Sequence, residues 1–105
     1  MIDNQYTFNI QFIYRKNIRW DSEKEKQLKF KRDLCFETIS TFMLQNPSCI
    51  LDIINHPNDK KYPNQQIIVI NLKNYAYIIP YVETSTEIFL KTIIPSRKMT
   101  KKYLS

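Results

Sequence analysis

Gln66-Ile67-Ile68-Val69-Ile70-Asn71-Leu72 is a β-branched run, Lys73-Asn74 interrupts it, and Tyr75-Ala76-Tyr77-Ile78-Ile79-Pro80-Tyr81-Val82 is a second apolar run. Two such runs joined by two residues, one of them Asn, read as an antiparallel hairpin. Downstream, Glu83–Thr86 is a polar turn into a further strand, Glu87–Ile94. Upstream, Cys49–Asn55 is a strand, and a polar loop from His56 to Gln65 leads into the hairpin. These four strands predict an antiparallel meander. Pro80 lacks a backbone N–H, so its strand is expected to carry a bulge or a kink.

Further upstream the apolar period lengthens. Phe36, Ile39, Phe42 and Met43 recur at helical spacing, which predicts an amphipathic helix over 36–45 that Asn46-Pro47 stops. A second, mostly charged helix is expected from Asp21 or Ser22 to about Arg32, with only a thin buried stripe at Leu28. Ser22 and Glu25 have capping-box spacing, and Glu25 stands four residues before Lys29, the spacing of a helical ion pair. Residues 6–20 read as strand, with a short second piece at Ile18–Trp20. Two helices packed on a meander of about four strands make an α+β domain. A short helix from Ser96 completes it, and 1–105 is expected to be one domain.

Composition narrows the function. The chain of 105 residues has no glycine, which excludes Gly-rich phosphate loops of the Walker or dinucleotide type and passes positive-φ positions to Asn or Asp. Two cysteines and one histidine cannot complete a four-ligand zinc site without distant carboxylates, so no metal or cofactor is expected. Cys35 and Cys49 read as reduced core or helix-end thiols. Residues 1–16 lack an apolar signal core, and no apolar run approaches the length of a membrane span; a soluble cytoplasmic protein is expected.

The formal charge is +6, and residues 88–105 carry five cations, Lys91, Arg97, Lys98, Lys101 and Lys102, with no acid. In the first 46 residues eight Lys or Arg face six Asp or Glu and largely offset. A local positive field favours an anionic partner, and a solvated tail is the plain alternative. Ser96 can cap the last helix, with Arg97 and Lys98 in its first turn. Cations there oppose the helix dipole at a cost of a few tenths of a kcal/mol each. A bound phosphate would reverse that sign, which makes Ser96–Lys98 a phosphate-binding candidate. Tyr75, Tyr77, Ile79 and Tyr81 share one strand face, suited either to base stacking or to half-burial on the sheet.

Ile18-Arg19-Trp20-Asp21, the charged helix, and then Asp33-Leu34-Cys35-Phe36-Glu37 resemble the opening of BrnT-like toxins. Ile93-Ile94-Pro95-Ser96-Arg97-Lys98-Met99-Thr100 is similar to that family's C-terminal signature, Tyr103 to its late aromatic, and Tyr62–Gln65 to a loop of one subgroup. The resemblance spans about residues 18–104. It implies a RelE-like α+β fold, endoribonuclease activity on RNA (possible on ribosome-bound mRNA), and a ribbon-helix-helix antitoxin as protein partner. Two departures stand out. Thr92 occupies a position where many members have arginine, with Lys91 beside it expected on the opposite sheet face, and residues 1–16 are read as an added N-terminal strand.

Metal-independent RNA cleavage needs a base for the 2′-OH, an acid for the 5′-oxygen and cations for the charge on phosphorus. His56 and Glu83 are the candidate base and acid, and each has an incidental reading as a loop or turn residue. Arg97 is the candidate phosphate clamp, because its planar fork makes two contacts and stays charged. Lys91 is the candidate for the missing arginine. Lys98, Lys101 and Lys102 would hold the backbone, and Tyr81 or Tyr103 would stack on a base or donate a proton. A non-catalytic binding module and a toxin-like inhibitor of another protein remain as alternatives.

Overall fold

The computed structural model describes residues 16–105. Residues 1–15, which carry the expected added strand, lie outside the described residues. Six strands and three α-helices follow: β1 Asn17–Trp20, α1 Ser22–Arg32, α2 Phe36–Gln45, β2 Ile50–Asn55, β3 Gln65–Leu72, β4 Tyr75–Glu83, β5 Glu87–Leu90, β6 Ile94–Pro95 and α3 Arg97–Leu104. The α+β class agrees with the sequence. The sheet is larger than expected and mixed. Its order is β1-β5-β4-β3-β2, with β6 also on β4, and β1 joins β5 in parallel rather than extending the meander.

The central hairpin is regular. Lys73 and Asn74 have φ of 54° and 66°, the left-handed pair of a type I′ turn, and Asn71 Oδ1 accepts from Asn74 N–H at 2.8 Å. A third positive φ among the described residues, 53°, belongs to Asp33 at the end of α1. Among the described residues, Lys73 is the one position where a residue other than Asn or Asp takes this role.

The bulge falls elsewhere than at Pro80. The β3–β4 register runs unbroken from Gln65↔Val82 to Leu72↔Tyr75. The Pro80 carbonyl accepts from Lys91 N–H at 2.8 Å, so the side of Pro80 that lacks a donor faces the β5–β6 edge. There the chain leaves the sheet at Lys91–Ile93, and the expected single strand Glu87–Ile94 is two short ones. Proline is accommodated by interrupting its neighbour.

The bulge lies in β2, between Ile50 and Asp52. Strict alternation would send Asp52 to the same face as Ile50, into the main core. The extra residue shifts the phase, so Ile50 and Ile53 pack on one core while Leu51 and Ile54 pack on the other. Asp52 escapes burial among isoleucines.

The sheet has covered faces on both sides. Leu28 of α1 and Phe36, Ile39 and Met43 of α2 pack on Ile68, Ile70, Ile79, Tyr81, Ile88 and Leu90. Across the sheet, Met99, Tyr103 and Leu104 of α3 cover Ile67, Val69 and Ala76. Burial on both faces explains the continuous run Ile67–Ile70, all four residues buried, where a one-sided strand would alternate. Among the described residues, no helix is long and apolar enough to cross a membrane.

Of the two caps expected for α1, Asp21 is the one used, and the role of Glu25 differs from expectation. Asp21 caps α1 by accepting from Glu23 N–H at 3.1 Å. Glu25 neither closes a capping box with Ser22 nor pairs with Lys29; it caps the next helix, accepting from Phe36 N–H at 2.7 Å and from the Cys35 thiol at 3.1 Å. Cys35, the residue at the α2 N-cap, makes no side-chain cap of its own. A carboxylate at that N-terminus also complements the helix dipole.

Candidate nucleic-acid interface

The C-terminal junction is built as a clamp. Ala76, at the Tyr75 end of β4, is fully buried, and its carbonyl accepts from Ser96 N–H at 2.9 Å. Its own N–H donates to Thr100 Oγ at 2.8 Å, and that hydroxyl donates to the Ser96 carbonyl at 2.8 Å. Ser96 Oγ accepts from Met99 N–H at 3.1 Å, the N-cap bond expected from the sequence. Ser96 and Thr100 therefore fix the start of α3 against the sheet. Arg97 and Lys98, between them, are exposed and have no carboxylate partner among the described residues. Lys101 and Lys102 are exposed on the same helix.

The other end of α3 is pinned by Tyr103. Its ring packs on the smaller core, its hydroxyl donates to Asp52 Oδ2 at 2.5 Å, and Lys102 Nζ lies 5.3 Å from the ring centroid. Tyr103 is thus a joint between α3 and the β2 bulge rather than a free stacking surface.

Tyr81 requires a correction. It is only 1% exposed, and its hydroxyl donates to Gln66 Oε1 at 2.8 Å. Burial, and then the charge of Glu83, hold its phenol far above the ordinary range. Such a residue cannot stack on RNA or supply a proton to it. The tyrosine row faces the α1–α2 core, with Ile79 fully buried and Tyr77 partly so.

The acid and base candidates lie far from the clamp. Pro95 pairs with Tyr77, and Glu83 stands six residues further along β4, about 20 Å away at strand rise. Glu83 forms an ion pair with Lys16, whose ammonium also donates to the Thr84 carbonyl at 2.7 Å. His56 sits at the Glu83 end of the sheet, just beyond Asn55 of β2. Its Nδ1 accepts from Asn58 N–H at 3.1 Å, and its ring packs on Tyr62 with centroids 4.4 Å apart. Hydrogen bonding and packing give His56 a loop-organising role. Glu83 borders a polar cleft of about 570 Å³ with Asn55, Asn64, Gln65 and Gln66, which His56 does not line.

Lys91 extends from the point where the chain leaves the sheet, its Nζ 5.5 Å from the Phe89 ring centroid. It borders a cleft with residues that sequence reasoning passed over, Arg19 and Lys24. In the linear sequence they lie far from Lys91, and only the parallel pairing of β1 with β5 brings them beside it.

No protein-family model, curated protein or solved structure matches the chain.

Proposed function

We propose that this chain binds RNA through its cationic C-terminal edge and acts as the toxin of a type II toxin–antitoxin pair in the cytoplasm, with a RelE-like fold. The observation that carries the RNA reading is the rigidly anchored pair Arg97–Lys98, exposed and without a carboxylate partner among the described residues. Cations held out by a clamp lose little conformational freedom on meeting a phosphate, and each contact releases counterions. The toxin assignment, and the ribbon-helix-helix antitoxin it calls for, rest on the resemblance at Ile18–Asp21 and Ile93–Thr100.

Binding without cleavage is the reading the geometry favours, because His56 and Glu83 are engaged elsewhere and about 20 Å from the clamp. An endoribonuclease is the second reading, favoured by the exposed Arg97 within the signature-like segment. One pair of measurements tests both. RNA binding followed by fluorescence anisotropy is expected to weaken steeply with salt, and binding that is absent or insensitive to salt would sink the proposal. Incubation with RNA, with and without ribosomes, is expected to leave it intact; specific fragments would establish the catalytic reading instead. Induced expression is expected to arrest growth in either case.

A further inference from the structure

Leu28 is the one buried residue of α1, and it faces the sheet. Phe30, two residues on, stands about 200° further round the helix and therefore points away from the sheet. It is 90% exposed, the one exposed large hydrophobic side chain among the described residues. A side chain so placed adds almost nothing to the core. Its neighbours on that face are Lys26, one turn back, and Lys29. Lys26 has Glu23 at 3.7 Å, whereas Lys29 is exposed with no carboxylate partner among the described residues.

The second helix packs on the same sheet face through Phe36, Ile39 and Met43, so Thr38, Thr41 and Gln45 look outward. With Glu37 and the half-buried Phe42 they border an open groove of about 420 Å³ along α2. Phe42 is its aromatic wall. Glu37, at its edge, is exposed, and its carboxylate has no cationic partner among the described residues.

We propose that this outer face of the helix layer is a self-association site, at which Phe30 of one copy seats in the Phe42 groove of a second copy. The surface is self-complementary. It carries both an aromatic knob and a groove to receive one, and both members of a charge pair, Lys29 beside the knob and Glu37 at the groove. An acidic partner would satisfy Lys29 and repel Glu37, and a basic partner would do the reverse. Knob and groove also face the same way, so a twofold axis between two copies satisfies both contacts at once and closes the assembly as a dimer. The site lies across the sheet from α3, so it goes beyond the RNA reading and does not depend on it. The face is small, formed by helices of 11 and 10 residues. A weak dimer is expected, with a Kd on the order of 10–100 µM.

Sedimentation equilibrium of the full chain from about 1 µM to about 1 mM is expected to show monomer and dimer in exchange. Phe30→Ala removes an anchor that each dimer uses twice. About tenfold per copy makes roughly a hundredfold rise in Kd, with Tm unchanged because Phe30 is exposed in the monomer. Lys29→Glu and Glu37→Lys, each alone, set like charges against each other and are expected to weaken the dimer. The double variant Lys29→Glu/Glu37→Lys is expected to restore it. A chain that stays monomeric across the range overturns the proposal and leaves Phe30 to a partner of another kind. A dimer that Phe30→Ala leaves intact, or that the double charge reversal fails to recover, also overturns it. Should a charge variant misfold, the photo-crosslinker p-benzoylphenylalanine at position 30 decides, in a mixture of isotope-labelled and unlabelled chains. Crosslinks to residues 37–45 of the other copy are expected, and crosslinks confined to other residues refute the site.

Discussion

Thr100 shows how much a single hydroxyl can hold in this protein. It receives the N–H of buried Ala76 and donates to the Ser96 carbonyl, closing the strand–helix junction. Thr100→Val keeps the shape and orphans a buried N–H, so it is expected to cost about 1–3 kcal/mol in chemical denaturation. Thr100→Ser should restore most of the loss; if valine is as stable as serine, the clamp is not holding the junction. Arg97 lies beside this clamp without taking part in it. Arg97→Ala is therefore expected to leave the circular dichroism spectrum and Tm unchanged while relieving growth arrest on induction. Persistent arrest by soluble Arg97→Ala protein would remove Arg97 from the functional surface. The contrast separates two roles inside one sequence segment: Ser96 and Thr100 build, and the cations between them face outward.

At the scale of elements, α2 begins with a cap supplied by another helix. Glu25→Ala removes the acceptor for Phe36 N–H and is expected to destabilise the fold by about 1 kcal/mol, within the range for lost N-caps. Glu25→Gln keeps an acceptor oxygen and should recover part of it. The hairpin turn offers the opposite change. Lys73 holds a left-handed φ that a lysine adopts only at a cost, and Lys73→Asn/Asn74→Gly supplies the pair that a type I′ turn prefers. A gain of about 0.5–1 kcal/mol is expected, visible as a Tm higher by several degrees. No gain would mean that the turn is relaxed by its neighbours. The bulge in β2 belongs to the same scale, because one extra residue moves Asp52 from the isoleucine core to the Tyr103 hydroxyl.

For the whole molecule, the buried ionisable groups set a limit at alkaline pH. Burial pushes the Cys49 thiol up from 9.0 to about 11, and the Tyr81 phenol is raised in the same direction. Between about pH 9 and 11 the unfolded chain loses the Cys49 proton while the folded chain keeps it. The unfolded state then binds fewer protons, so stability falls as pH rises through this window. Cys49→Ala is expected to flatten the onset of that decline in urea titrations at pH 8, 9 and 10. An unchanged profile would assign the decline to other groups.

What the sequence by itself determined was local and periodic. The hairpin at Lys73-Asn74, the helix over 36–45, the Ser96 cap and the charge imbalance after residue 88 each depend on neighbours a few positions apart. The resemblance to BrnT-like toxins was likewise carried by short segments. The tertiary structure decided everything that required knowing which distant groups meet. Parallel pairing of β1 with β5 and burial of both sheet faces depend on how the chain returns, which periodicity does not encode. Tyr81 read as a possible RNA contact because alternation places a side chain on a face without saying whether helices cover that face. Glu25 read as a partner for Ser22 and Lys29 because its duty as the α2 cap depends on a backbone donor, Phe36 N–H, that only folding brings to it.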